Sequence, residues 1–199
     1  MNGFYKYILD PIARVDQGNS AGLRTYNNVS DNAVAAGVEL EFRKQILTLA
    51  SNKHKFSLGM NGSYIYTNVK LDPQFFVQNT SSQLEGAAPY ILNADVTHNL
   101  TANNLKVTNT VVFNYLSDKV HTIGTRGYNN LIEENVSTLD FVSLIDLNKH
   151  FGFSLKAKNL LNPDYKLTRE GATETNTPAV IIRSYKKGMT FDLGISYRF

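Results

Sequence analysis

From Met189 to the C-terminus the chain alternates without a break. Met189, Phe191, Leu193, Ile195, Tyr197 and Phe199 fall on one parity, and Thr190, Asp192, Gly194, Ser196 and Arg198 on the other. A strand sends successive side chains to opposite faces, so this segment predicts one with different solvents on its two sides. The pattern recurs upstream. Phe151, Phe153, Leu155 and Ala157 alternate with Ser154, Lys156 and Lys158, and Leu139, Phe141, Ile145 and Leu147 oppose Thr138, Asp140, Asp146 and Asn148. Val107, Val111, Phe113 and Tyr115 oppose Thr108, Thr110 and Asn114, while Tyr90, Leu92, Ala94 and Val96 oppose Asn93, Asp95 and Thr97. Phe56, Leu58, Met60, Tyr64 and Tyr66 share a parity, as do Ala36, Val38, Leu40 and Phe42. With a partial strand near Phe4–Leu9 the count is about eight. No stretch carries a helical period, so the expected class is all-β.

The connections alternate too. Short ones are expected at Leu100–Asn104 and between Asn148 and Phe151, with a moderate one from Ile46 to Lys53. Long polar segments run over roughly Asp10–Gly22, Asn68–Gly86, Ser117–Glu134 and Asn162–Tyr185. Strict alternation of short and long gathers every long loop at one end of an antiparallel sheet. It also sends the last strand toward the short-turn end, with Phe199 on that rim.

Which solvent meets the apolar face decides between two barrels. A soluble ligand-binding barrel is apolar inside, and a transmembrane barrel is polar inside with an apolar belt outside. Strands of 9–11 residues suit a tilted bilayer span, and aromatics near strand ends (Tyr64, Tyr66, Tyr90, Tyr115, Tyr197 and Phe199) suit interfacial girdles. The expectation is therefore an antiparallel transmembrane barrel portion, with long extracellular loops and short periplasmic turns. Composition agrees: 42% of the 199 residues are apolar and 19% charged, and 11 Tyr and 11 Phe accompany an absence of Cys and Trp. This excludes a disulfide scaffold, a Cys-based zinc site and a spanning helix. A net charge of +3 without a basic, aromatic-laced stripe argues against nucleic acid.

Four segments, in order, carry a family likeness. Asn27-Asn28-Val29 leads into Ala36-Gly37-Val38-Glu39-Leu40-Glu41. Leu84-Glu85-Gly86-Ala87-Ala88-Pro89-Tyr90-Ile91-Leu92-Asn93 follows. Then come Leu155-Lys156-Ala157-Lys158-Asn159-Leu160-Leu161-Asn162 and the stretch from Tyr185 to Ser196-Tyr197-Arg198-Phe199. Together they resemble the C-terminal barrel region of a TonB-dependent outer-membrane receptor of the Bacteroidetes type. The resemblance implies a 22-strand barrel with an N-terminal plug, and energised import of a scarce ligand such as a siderophore or carbohydrate. With about eight strands, no plug, no TonB box and no signal-like start at Met1–Lys6, residues 1–199 are expected to be the C-terminal part of such a barrel in the bacterial outer membrane. TonB would then act only through the parent's plug. The rival expectation is a free-standing small barrel with a porin-like, adhesive or structural role.

The terminal strand has the strongest functional claim. In such barrels an apolar-alternating last strand ending in Phe resembles the signal read by the barrel-assembly machinery, which maps here to Phe191, Leu193, Ile195, Tyr197 and Phe199. Recognition would work by edge pairing plus side-chain pockets. No enzyme, metal or cofactor is expected. His54, His98 and His150 fall at the short-turn end and match no metal spacing, and His121 would need Ser117 or Asp118 beside it to act. Gly124-Thr125-Arg126-Gly127 lacks the strand-to-helix context of a phosphate loop. Glu39, Glu41, Asp95, Asp140, Asp146 and Asp192 are expected to pair with Arg43, Lys156, Lys158 and Arg198 across neighbouring strands. Expected partners are membrane lipid, the assembly machinery and an unidentified small molecule. That ligand would meet loop residues such as Phe75, Phe76, Tyr165, Arg169 and Arg183, none of which is singled out as its site.

Overall fold

A computed structural model describes the chain except residues 20–21, 52, 74–79, 126 and 172–177. Among the described residues it is strand, turn and loop with no helix. The strands are β1 (Asn2–Leu9), β2 (Ile12–Asp16), β3 (Arg24–Asn28), β4 (Asn32–Leu49), β5 (His54–Lys70), β6 (Ser81–Ser82), β7 (Tyr90–Ala102), β8 (Leu105–Leu116), β9 (Lys119–Thr122), β10 (Leu131–Glu133), β11 (Val136–Leu147), β12 (Phe151–Lys158), β13 (Asp164–Arg169), β14 (Val180–Lys186) and β15 (Thr190–Tyr197).

Eight of them form one antiparallel wall in the order β1-β4-β5-β7-β8-β11-β12-β15, with β6 paired to β5. Each wall strand but β1 contains one of the alternating runs, because a half-buried pleated surface is what period two encodes. The wall is open: β1 and β15 are its edges among the described residues, and no ring closes. Every predicted apolar run lands on the same side. Leu58, Val96, Val111, Phe141, Ala157 and Phe191 make one row across six strands, and Phe42, Met60, Ala94, Phe113 and Leu139 make another. The opposite side carries rows such as Asn61, Asn93, Asn114 and Thr138. Asn109 opposite Ser143 interrupts the apolar side. Val112, Val142 and Leu144 sit on the polar one.

Two readings of the sequence need correction. β4 continues to Leu49 past a bulge at Gln45–Leu47, so half of the connection expected over Ile46–Lys53 is strand and the turn is confined to its second half. The long polar segments are also not plain loops. β9, β10, β13 and β14 form a second sheet in the order β14-β13-β10-β9, which continues the last four wall strands beyond bends at 117–118, 134–135, 159–163 and 187–189. β2 and β3 make a hairpin beyond β1 and β4. These strands are three to seven residues long and pair mostly with each other, so they leave too short a periodic trace to read.

The short turns lie together at the other end, with Asn103 and Asn148 in the left-handed region that asparagine tolerates. Phe151 opposite Tyr197 places the chain terminus at that turn end, as parity predicts.

The hydrophobic core lies at the loop end of the wall's polar side. Ala13, Val15, Val29, Ala33, Val69, Leu71, Val120 and Ile123 form a buried cluster at the loop end, with Ile8, Leu84 and Ile132 packed against it. Ala33 and Val69 are cross-strand partners on the parity of Glu39 and Glu41, so the β2–β3 hairpin folds over the polar side. At that end the polar side turns apolar to receive it.

Candidate functional site

Three regions hold the side chains with chemical potential: the two faces of the wall, the loop-end layer, and the terminal strand.

At the centre of the wall, on β7 and β8, burial is inverted relative to a soluble protein. Leu92, Val96, Val111 and Phe113 are exposed, while Asn93, Asp95, Thr110 and Asn114 between them are partly buried. The polar side is satisfied strand to strand. Asn93 donates to Asn61 at 2.7 Å, Thr108 to Asn99 at 2.9 Å and Asn114 to Thr138 at 3.2 Å, and the Thr97 and Thr110 hydroxyls meet at 3.1 Å. Of the expected charge pairs, Arg43–Asp95 at 3.4 Å, Arg198–Asp146 at 3.3 Å and Lys158–Asp192 at 3.9 Å are present. Lys156 stands directly opposite Asp192, yet its neighbour Lys158 makes the contact. Asp140 accepts the Asn159 backbone N–H at 2.7 Å, and Glu39 the side-chain amide of Asn2 at 3.2 Å. Arg43 reaches Asp95 across β5 because Gly59 lies between them. A Cβ at Gly59 would stand 2.2 Å from the Asp95 carboxylate. Gly37 is similarly covered by the Phe4 ring.

Aromatics ring the apolar side at both ends. Tyr64 and Tyr90 pack at 5.2 Å near the loop end. At the turn end Phe56 stacks on His98 at 4.6 Å, His98 on His54 at 5.2 Å, and Tyr197 meets Phe151 at 5.0 Å and Phe199 edge-on at 5.2 Å. His54 Nδ1 and His98 Nε2 are 3.0 Å apart, and His150 Nδ1 lies 3.0 Å from the Arg198 carbonyl, donating to it in that tautomer. Among the described residues no three His, Cys, Asp or Glu converge to hold a metal.

The loop-end layer is braced by ionic contacts between segments far apart in sequence. Arg169 Nη2 donates to buried Asp16 at 2.8 Å, and Arg169 Nη1 donates to the Asn129 carbonyl at 2.9 Å while the guanidinium lies over the Tyr128 ring at 4.9 Å. Burial pushes the Asp16 carboxyl up. The Arg169 and Gly18 hydrogen bonds, with the charges of Arg169 and Arg24, outweigh it, so the group sits below the usual carboxylate value. Arg14 donates to the Tyr26 hydroxyl at 2.7 Å, which raises its already high pKa against the cost of burial, and it pairs with Glu85 at 3.6 Å. Arg14 also donates to His121 Nε2 at 2.6 Å, so that nitrogen accepts, and Nδ1 carries the proton toward Thr122 Oγ1 at 2.8 Å. Burial first, then the charges of Arg14 and Arg24, push the His121 pKa down, in keeping with a neutral ring.

His121 is therefore taken up by Arg14 and Thr122. Ser117 Oγ accepts the Tyr90 backbone N–H at 3.0 Å, and Asp118 accepts the backbone N–H of Asn135. The catalytic grouping weighed for His121 does not assemble. A cavity of about 540 Å³ opens beside this layer, lined by Tyr90, Tyr115, Ser117, Asp118, Lys119 and Glu170, and burial raises the Glu170 pKa.

Of the loop residues named from sequence, Tyr165 stacks on Tyr185 at 5.5 Å with Lys187 over its ring, and Arg183 lies over Tyr185. Arg169 is a brace. Phe75 and Phe76, like Arg126 of the glycine-rich string, lie outside the described residues. Sequence reasoning missed Asp16, Arg14 and Tyr128, which have no motif and meet their partners only through the fold. Phe191, Leu193, Ile195 and Tyr197 all project from the apolar side of edge strand β15, with Phe199 just beyond it, and all five are exposed, Leu193 at 84%.

The class these features define is an open, all-β antiparallel wall with a braced loop layer at one end. No family model, curated protein or solved structure matches the chain, so the family likeness rests on its sequence segments.

Proposed function

We propose that the chain is part of the barrel of an outer-membrane TonB-dependent receptor that imports a scarce ligand. The observation that carries this reading is the inverted wall, with exposed apolar side chains on one face and hydrogen-bonded amides, hydroxyls and ion pairs on the other. On β5 the apolar run from Phe56 to Tyr66 covers ten steps, about 33 Å along the strand and roughly 25 Å at a 40° tilt. That is the height of an outer-membrane apolar belt. Aromatic rings at its two edges suit the two interfaces. At about 53 Å, β5 is longer than a bilayer core is thick, so its loop end would stand outside with the braced layer.

The open edges favour a larger barrel. In lipid each unpaired backbone group costs several kcal/mol, so β1 and β15 need neighbours there. In the receptor reading these are further strands of the parent, and Phe191, Leu193, Ile195, Tyr197 and Phe199 present the assembly signal. The free-standing small barrel is the second reading. It is favoured by edge strands of equal length, eight residues each, with Tyr5, Tyr7 and Leu9 of β1 on the apolar side although Phe4 and Ile8 take the polar one.

The test is to mix the full chain with detergent micelles or lipid vesicles and follow strand content with heat-modifiable gel migration. A compact heat-modifiable species that needs only lipid supports the small barrel. Aggregation in lipid, relieved by co-expressed receptor strands, supports the receptor reading. A stable β-protein without any amphiphile overturns both.

A further inference from the structure

The two edges of the wall, β1 and β15, are separated by an unbroken series of antiparallel steps and run in opposite directions. An antiparallel seam between two such edges keeps the apolar residues on one side only when odd positions meet odd ones. Two registers of that kind set seven strand residues against seven. One places Lys6 opposite Asp192, Tyr5 opposite Leu193 and Tyr7 opposite Phe191. The other, two residues away, places Lys6 opposite Gly194 and sets the Asp192 carboxylate against Ile8. Opposite charges directly across a ladder attract. Among the described residues Lys6 makes no ion pair and lies over the Phe4 ring at 5.6 Å, while Asp192 meets Lys158 at 3.9 Å. Charge therefore selects the first register.

The same register has the pitch of a closed barrel. From Phe191 the level row runs through Ala157, Phe141, Val111, Val96 and Leu58 to Lys44. Lys44 lies five residues from Glu39, the partner of Asn2, toward the turn end, and Tyr7 lies five from Asn2 toward the loop end. Pairing Tyr7 with Phe191 thus shifts the row by ten residues over eight strands. At about 3.3 Å per residue and 4.8 Å per strand the tilt is about 40°, inside the range of roughly 35–45° that barrels adopt.

We infer that the mate of each edge is the opposite edge of a second copy: β1 of one chain pairs with β15 of the other at both seams, closing sixteen strands. Within one chain the two strands do not meet. An eight-stranded barrel has room inside for side chains only, whereas the polar side here already receives two strands of backbone, β2 and β3, at its loop end. A two-fold axis makes the two seams identical. Each seam supplies backbone partners that a lipid environment cannot. The inference rests on the free-standing reading of the chain, with two chains in place of one.

The chain has no cysteine, so introduced thiols report the seam cleanly. The full-length protein carrying Tyr5→Cys and Leu193→Cys is mixed with lipid vesicles, oxidised, denatured and run on a non-reducing gel. The expected product is a disulfide-linked dimer. Tyr5→Cys with Ile195→Cys should hardly link, because diagonal neighbours stand too far apart to bridge. In the linking background Lys6→Asp should cut the dimer roughly threefold or more, and adding Asp192→Lys should restore it. A disulfide within one chain would overturn the second copy in favour of closure on itself. Absence of any disulfide would overturn it too, and heat-modifiable migration of the same sample then separates the readings. A folded monomer would keep the free-standing chain, and aggregation relieved by receptor strands would keep the parent receptor.

Discussion

Met60 and Asn61 are adjacent in β5 and point to opposite sides of the wall, so one pair of substitutions asks which side meets lipid. Met60 lies four residues from Phe56 and four from Tyr64, about 13 Å along the strand from either aromatic ring and so at the middle of the belt. Arginine at the midplane of a barrel's lipid face costs about 2–4 kcal/mol. That is roughly a thirty- to nine-hundred-fold fall in the folded-to-unfolded ratio in vesicles. Asn61→Arg faces the polar side and loses the 2.7 Å hydrogen bond from Asn93, a loss of about 1 kcal/mol, while its own charge stays in water. Denaturant titration of both variants in lipid vesicles, beside the receptor strands that relieve aggregation and followed by strand content, should therefore rank Met60→Arg well below Asn61→Arg. Without lipid the order should vanish, because Met60 is already half exposed. If Asn61→Arg proves the more damaging in vesicles, or the two are equal, the apolar face does not meet lipid and the argument from inverted burial fails.

Gly59→Val should destabilise the wall by about 1–3 kcal/mol, because its Cβ meets Asp95 and parts Arg43 from it. Asp95→Ala should recover part of that loss in a double-mutant cycle by denaturant unfolding. Asp16 predicts an acid limit for the loop layer. A carboxyl held below its unfolded value of about 3.9 stabilises above that pH and loses the contribution as pH falls through the lower folded value. Amide exchange in β2 should rise below about pH 4, and Asp16→Asn should remove the dependence. Deleting Phe199 should lower membrane assembly far more than an equal deletion in a loop, as read by the yield of heat-modifiable protein. Unchanged yield would sink the assembly-signal role.

The wall was legible because its information is local. Seven runs of period two assign each of their strands an apolar face before any coordinate is known, and the structure's register then sets Leu58, Val96 and Val111 in one row. Connection lengths placed the turn end and Phe199. The loop layer was not legible, for an equally physical reason. β10 has three residues and β9 four, below the length at which alternation differs from chance, and Ala33 and Val69 lie on a parity that reads as polar. Asp16 and Arg169 carry no spacing signal, because only tertiary packing brings them together. His121 shows the same limit from the other direction. Its place near the loop end was readable, but its partner Arg14, 107 residues away, was not.

Each wall strand bonds only to its neighbours, so the wall taken alone behaves as a one-dimensional stack whose stability is a sum of pairwise ladders. Such an array can peel from either end, one strand at a time. The contacts at the loop end break that description. Asp16 and Arg169 are 153 residues apart and Thr125 bonds to the Asp16 carbonyl across 109, so the region beside the first strand is fastened to the region beside the last. Closing loops of that size costs conformational entropy once, and afterwards the ends of the array no longer unravel independently. Cooperativity in this chain thus resides in its loops, and the sheet, despite being most of the structure, inherits it.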